Sequence, residues 1–345
     1  MREYIGRLMA SQDLSREEAY NAMTIIMEGG VSDSLIAAFL TALKIKGETV
    51  DEISGFSEAM LEKANRVVLN EKDLVDTCGT GGDGLDTFNI STTAAFIAAG
   101  AGVKIAKHGN RSVSSRSGSA DVLESSGVFI ELEPKEVAAC IEEVGIGFIY
   151  ARTAHTAMKY VAPVRQELGM RTVFNILGPI TNPALARGRV LGVYDAGLLG
   201  IMAGALRNLG VERAFIINSE NGMDELSTAS KSKVVYLQDG YITEYVLDPA
   251  KLGFKRAAVS QLKGGDADKN AAIMEDILSG KIRGPMRDTA VLNAAAAIIA
   301  GKRADRMEDS LKIAERSIDE GRALEKLGKL VETTRRLARG KNHGT

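Results

Sequence analysis

Apolar positions recur at helical spacing through the first 65 residues and as short strand-like runs beyond them, and this change of period divides the chain. Between Ser34 and Lys46, the apolar residues Leu35, Ile36, Phe39, Leu40 and Leu43 fall on one helical face. Ile53, Phe56 and Met60 repeat that spacing after Thr49. Ser15 with Glu18, and Thr49 with Glu52, form capping-box pairs: each hydroxyl can take an orphan amide while the glutamate reaches back to the cap residue. Gly29-Gly30 and Gly47 punctuate the pattern. Residues 1–70 are therefore predicted to be a small all-helical domain of about four helices.

From Leu74 onward, β-prone runs alternate with helices. Strands are predicted at Leu74–Asp76, Val103–Ala106, Val128–Glu131, Gly147–Tyr150, Val190–Val193, Ala214–Ile217 and Ser232–Leu237. Helices are predicted at Thr92–Gly100, Lys135–Val144, Leu198–Leu209 and Asp288–Ala300, with an amphipathic helix over Met307–Ala338 broken at Gly321. The alternation predicts an α/β class for residues 71–345: a mostly parallel sheet with right-handed crossovers, helices on both faces, and ligands at the carboxyl ends of the strands. Ala154–Thr172 reads as helical and Asn175–Pro183 as a rigid turn. With no obvious strand partner, the stretch from about 155 to 178 is expected to rejoin the N-terminal helices and form a hinge.

Composition narrows the class. The 345 residues are 45% hydrophobic and 26% charged, which suits a globular chain with a real core. A net charge of −2 supplies no overall basic field to recruit nucleic acid. The locally basic Arg335, Arg336, Arg339 and Lys341 read as a solvated helix end. Cys78 and Cys140 lie far apart and lack metal-ligand spacing, so they read as free thiols of an intracellular protein. The charged start Met1-Arg2-Glu3-Tyr4 has no apolar signal segment, and no run approaches the ~20 residues that span a bilayer. The expectation is a cytoplasmic protein that engages neither membrane nor nucleic acid.

The chemistry concentrates between Thr77 and Glu124. Two polar loops follow predicted strands there: Gly79-Thr80-Gly81-Gly82-Asp83-Gly84, and Lys107 through Ser119. Glycines let backbone approach a ligand closely, and the surrounding amides and hydroxyls suit a phosphate-rich anion. Gly79–Gly84 formally matches a dinucleotide fingerprint, but the next predicted strand delivers Lys107 and His108 where an acidic residue is required. Asp83 would also repel a pyrophosphate held on bare amides. No Gly-Lys-Ser/Thr follows, so a Walker loop fails too. Asn89, Ser91 and Thr92 enter a helix N-terminus, where orphan amides favour anions. Lys107, Arg111 and Arg116 stand among hydroxyls, and the single histidine there, His108, can serve packing or hydrogen bonding rather than acid–base work. Asp224-Glu225 follows another predicted strand and suits Mg²⁺ shared with substrate oxygens. Arg165, with Met158, Tyr160 and Val161 nearby, could bind a carboxylate through its planar fork.

Taken in order, Gly79-Thr80-Gly81-Gly82-Asp83, Asn89-Ile90-Ser91-Thr92, Lys107-His108-Gly109-Asn110-Arg111-Ser112, Ser117-Gly118-Ser119-Ala120-Asp121-Val122-Leu123-Glu124, Asn175-Ile176-Leu177-Gly178-Pro179 and Asp224-Glu225 resemble the anthranilate phosphoribosyltransferases over the whole chain. The resemblance implies a small helical domain hinged to a large α/β domain, a homodimer through the helical part, and transfer of phosphoribose from phosphoribosyl pyrophosphate (PRPP) to the amine of anthranilate in tryptophan synthesis. It implies that Gly79, Gly82, Asp83, Thr87, Asn89, Ile90, Ser91, Thr92, Lys107, His108, Gly109, Asn110, Arg111, Ser112, Val113, Ser114, Ser115 and Ser119 hold PRPP. Ser91, Asp224 and Glu225 would ligate Mg²⁺. Gly79, Asn110 and Arg165 would contact anthranilate, with His108, His155, Met158 and Gly178 shaping its path, and Lys107, Asn110 and Arg165 would carry catalysis. Arg116 stands where that family usually has lysine. A pyrimidine-nucleoside phosphorylase would carry Lys-His-Ser in place of Lys107-His108-Gly109, and a nucleic-acid-binding relative would lack Asp224-Glu225 and be more basic.

Overall fold

The computed structural model describes residues 1–112 and 116–341. Val113, Ser114 and Ser115, expected at the PRPP site, lie outside the described residues. The N-terminal pattern resolves into α1 (Arg2–Met9), α2 (Arg16–Met27), α3 (Asp33–Lys46) and α4 (Val50–Glu62). Both capping boxes form at α2 and α4. The glutamate of the second, Glu52, is fully buried and also accepts Leu14 N at 3.0 Å and Lys46 Nζ at 2.9 Å, so one carboxylate fastens the end of α3 and the connection into α2 to α4. α2 and α4 meet at Gly55, where a Cβ would lie 2.1 Å from the Arg16 carbonyl oxygen; only glycine permits that approach.

The remainder is built on one seven-stranded sheet: β1 (Leu74–Gly79), β2 (Lys104–Gly109), β3 (Ile146–Tyr150), β4 (Gly188–Gly192), β5 (Arg213–Ser219), β6 (Ser232–Gln238) and β7 (Tyr241–Leu247). The spatial order is β3-β2-β1-β4-β5-β6-β7, parallel through β5 and antiparallel at β6 and β7. Between the strands lie α5 (Ile90–Gly100), α6 (Ser119–Ser125), α7 (Pro134–Val144), α8 (Ala151–Ala154), α9 (Ala162–Leu168), α10 (Phe174–Leu177) and α11 (Leu199–Asn208). After the sheet come α12 (Ala267–Leu278), α13 (Pro285–Ala300), α14 (Met307–Asp319) and α15 (Arg322–Lys341).

Alternation along β5 sends its two faces into two cores. Phe215 and Ile217 join α5, α7 and the C-terminal helices, whereas Ala214 and Ile216 join a core shared with α1–α4 and α11. Val161, Val164, Phe174, Ile176 and Leu177 belong to that second core. The 155–178 stretch therefore packs with the N-terminal helices, and on either side of it Ala154 O accepts Asn65 N at 2.8 Å and Pro183 O accepts Arg66 Nε at 3.0 Å, holding it to the segment that follows α4.

Several sequence expectations are corrected. Val128–Glu131 is not a strand: Val128, Ile130 and Leu132 alternate into the core, but Phe129 N donates to Thr334 Oγ1 on α15 at 3.1 Å rather than to a ladder. β7 has no counterpart among the predicted strands; Asp239 and Gly240, at φ +50° and +87°, turn β6 back into it as a hairpin. The helical reading of Ala154–Thr172 divides into a 3₁₀ turn at Thr156–Tyr160 and α9, and the turn expected at Asn175–Pro183 contains the end of α10 and a 3₁₀ turn at Gly178–Ile180. α6 and α12 have no predicted counterpart either. The break at Gly321 stands as expected, at φ +75° between α14 and α15.

Candidate active site

The strand order reverses direction between β1 and β4, the position where open α/β sheets leave a crevice at their carboxyl ends. There Gly79 of β1 pairs with Gly192 of β4. A Cβ on Gly192 would sit 1.3 Å from the Asp224 carbonyl oxygen, and one on Gly79 would sit 2.4 Å from Asp224 Oδ2. The paired glycines thus open the slot that receives Asp224. Gly81, Gly82 and Gly84 then turn at φ +66°, +77° and +72°, a region that strains other side chains. Gly81 N donates to Asp224 Oδ2 at 2.8 Å. The second half of this loop is held by residues 262–264: Phe88 N donates to Leu262 O, Gly264 N to Asp86 O, and Thr87 bridges Lys263.

Asp83, Asp224 and Glu225 offer carboxylate oxygens that all lie within 4.8 Å of one another. Burial, then the charge of Asp83, pushes the Asp224 carboxyl up to about 6, although the Gly81 amide opposes the shift. Burial and the Asp224 charge raise Glu225 well above the ordinary carboxylate range. Among the described residues, Glu225 Oε2 is buried without a hydrogen-bond partner. Three crowded carboxylates, one with an orphaned oxygen, fit a hard divalent cation that would supply the missing positive charge. Ser91 and Thr77 line the same cavity as Asp224 and Glu225. Sequence reasoning assigns Ser91, Asp224 and Glu225 to the metal and Asp83 to PRPP; the structure brings the Asp83 carboxylate into the cluster.

Lys107 of β2 is buried beneath this loop. Its Nζ donates to Thr77 O at 2.5 Å and stands 3.5 Å from Ser91 Oγ. Desolvation pushes its pKa down, while Asp76 and Glu225 pull it back up. The next amide, His108 N, donates to Asp76 Oδ1 at 3.0 Å, and Asp76 Oδ2 accepts Asn182 Nδ2 and Arg189 Nη1, each at 2.8 Å. This buried junction fixes where β2 ends. The His108 and His155 rings lie 5.2 Å apart. Burial pushes both down to about 3, so both are neutral near pH 7 and the histidines are poorly suited to proton transfer.

Beyond Gly109, Asn110 is exposed. The Arg111 guanidinium is committed to Glu124 at 2.5 and 2.8 Å, with Asp121 and the Tyr150 hydroxyl each at 3.2 Å. That side chain therefore anchors α6 rather than facing the glycine loop. Asp121 Oδ2 accepts Ser112 N at 3.0 Å and Gly118 N at 2.8 Å, closing the loop onto the α6 N-terminus where Ser119 begins the helix. Arg116 approaches Asp86 of the first loop at 3.6 Å, both side chains exposed.

Arg165, on α9, forms a different wall. Its guanidinium lies 5.6 Å from the Phe174 ring centroid, and burial pushes its pKa down. Among the described residues no carboxylate pairs with it, which leaves a desolvated cation open to an anionic group. Met158 sits in the turn that follows His155, with Met158 N donating to His155 O at 3.1 Å. Gly178 lies against His108, and the adjoining Pro179 carbonyl accepts Cys78 Sγ at 3.3 Å. Sequence reasoning missed Arg171, whose guanidinium donates to Gly82 O at 2.5 Å and stacks 3.9 Å from the Tyr194 ring. It also missed Asp76, although a carboxylate after Leu74-Val75 in a strand already called for a buried partner.

Comparison with known proteins agrees with this geometry. A family model described as "Glycosyl transferase family, helical bundle domain" matches residues 2–64, and "Glycosyl transferase family, a/b domain" matches 71–324. An anthranilate phosphoribosyltransferase of Desulforamulus reducens is 50% identical over 335 residues, covering 97% of each chain. The crystal structure of the Thermus thermophilus anthranilate phosphoribosyltransferase superposes with a TM-score of 0.92 at 42% identity, covering 96% of this chain and 99% of that one. The Saccharomyces cerevisiae enzyme, solved in complex with PRPP and Mg, gives 0.88 at 28% identity over 96% and 97%. With its glycine-lined switch point, its carboxylate cluster and half its residues shared across full-length relatives, this chain belongs to the anthranilate phosphoribosyltransferase family.

Proposed function

We propose that the carboxyl edge of the sheet holds PRPP with Mg²⁺, and that Arg165 receives the carboxylate of anthranilate. The reaction transfers the phosphoribosyl group to the anthranilate amine, giving N-(5-phosphoribosyl)anthranilate and pyrophosphate. The observation that carries this reading is the Asp83–Asp224–Glu225 cluster, set against a glycine loop whose Gly81 amide already bonds Asp224. An aromatic amine is nucleophilic when neutral, so no strong base is required, consistent with two histidines held neutral by burial. The residues' work is positioning and electrostatics. Amides at the start of α5 and of the Gly79–Gly84 loop face the phosphates. Lys107 braces Thr77 and Ser91 beneath them and places positive charge near Glu225. Mg²⁺, when bound, neutralises charge on the departing pyrophosphate. Asn110, at the mouth of the second loop, orients the acceptor beside C1 of the ribose.

Residues 1–70, joined by 155–178, form the small helical domain and 71–345 the large one. Shared packing of Val161, Phe174 and Leu177 with α1–α4 supports this division. Exposed Met9 and Ile45 on that domain support a homodimer through it. No described helix is long and apolar enough to cross a membrane, and free Cys78 and Cys140 suit a reducing cytoplasm. Anthranilate fluoresces, so mixing it with the protein, PRPP and Mg²⁺ is expected to quench the signal in proportion to PRPP consumed. Unchanged fluorescence over a long incubation would overturn the assignment.

A further inference from the structure

Among the described residues no backbone hydrogen bond joins the two substrate loops; a side chain from α12 does. Asn270 is 2% exposed, one helical turn inside a helix capped by Asp266. Its Nδ2 donates to Asn89 Oδ1 of the first loop at 2.8 Å and to Ser117 Oγ of the second at 2.9 Å. Ser117 Oγ lies 3.3 Å from Asn89 Oδ1, and Asn89 Nδ2 donates to Ser117 O at 3.3 Å, which closes a polar triangle. On its other side, Asn270 Oδ1 accepts Gly265 N at 2.8 Å. Gly265 ends the strip that already pairs with the first loop through Phe88 N–Leu262 O and Gly264 N–Asp86 O. Asn89 stands at the α5 N-cap, yet its side chain caps nothing there and is spent on this junction.

From this arrangement we infer that Asn270 is a positioning residue for PRPP. Through Asn89 and Ser117 it sets the separation of the two loops, and therefore the width of the cradle that a sugar phosphorylated at both C1 and C5 must span. Among the described residues nothing links Asn270 to Arg165, so its influence falls mainly on PRPP and reaches anthranilate only through Asn110 of the second loop. A buried amide has one geometry in which all of these bonds are met, and an aspartate of the same shape keeps the Gly265 contact while losing both donors. The inference rests on the proposal that both loops hold PRPP.

The test is steady-state kinetics on the full chain by anthranilate fluorescence. Asn270→Asp is expected to raise the PRPP KM about tenfold, the effect of losing buried hydrogen bonds, with the anthranilate KM within about twofold of the parent. Ser117→Ala reaches the triangle from the loop and leaves α12 untouched. It is expected to raise the PRPP KM as well, and to add little further in the double variant because both changes break one unit. A parental PRPP KM in Ser117→Ala, an equal rise in both KM values, or independent effects in the double variant would each overturn the role of Asn270. A parent protein with no PRPP-dependent quenching would instead overturn the functional proposal.

Discussion

Asp224→Asn combined with Glu225→Gln is expected to lower turnover by about two to three orders of magnitude, the scale seen when charge stabilisation at a leaving group is removed. The substitutions keep side-chain size, so the slot that Gly79 and Gly192 open for Asp224 still accommodates an amide of the same shape. They also remove charges that repel one another and Asp83 across less than 4.8 Å. The apo protein should consequently melt at a higher temperature while losing activity. These opposite signs separate a metal role from a merely structural one, since a structural carboxylate would lose both together.

Acidification should mimic the substitution in part. Asp224 is pushed up to about 6 in the fold, so its folded form holds a proton more tightly than the unfolded chain does. Its contribution to apo stability is present at low pH and is withdrawn as pH rises through about 6. Cation binding has the reverse dependence, because the proton must leave. The Mg²⁺ concentration for half-maximal activity should rise about tenfold per pH unit below that value. A Mg²⁺ requirement unchanged between pH 5 and 7.5, or by the double substitution, would remove the ion from this site.

The second large effect belongs to Arg165. A desolvated guanidinium without a carboxylate partner among the described residues is costly unless an anion completes it. Charge-assisted hydrogen bonds of about 1.5–3 kcal/mol imply that Arg165→Ala raises the anthranilate KM roughly 10- to 100-fold, with the PRPP KM nearly unchanged. Arg165→Lys should recover part of the loss, as it keeps the charge and the packing over Phe174 but not the fork. Equal rises in both KM values would assign Arg165 to domain packing instead.

What the sequence reveals follows how local the physics is. The glycine run, the α5 entry and Asp224-Glu225 are contiguous motifs whose chemistry is visible in a few neighbouring residues. Asp83 stands out in the sequence, but only the fold brings its carboxylate to Asp224, 141 positions on. Arg111 reads as a phosphate ligand in the sequence, and only the fold shows its guanidinium held by Glu124 and Asp121, one α6 turn apart. Asn270 and Asp76 carry no local mark of their partners: Asn89 and Arg189 lie 181 and 113 residues away. Strands show the same division. Apolar runs announce the buried ones, whereas β7 mixes Thr243 and Glu244 into an exposed edge and is betrayed only by Asp239-Gly240. Val128–Glu131 has the alternation of a strand, but it joins no ladder, and its Phe129 amide is taken by Thr334 of α15.

A crystal structure of the protein grown with Mg²⁺ and PRPP would address the site itself. The pyrophosphate should lie against the amides of residues 79–92, with the cation about 2.1 Å from carboxylate oxygens of Asp224 and Glu225. A pyrophosphate seated away from the Gly79–Gly192 switch point, or a cation coordinated by none of Asp83, Asp224 and Glu225, would contradict the site proposed for this chain.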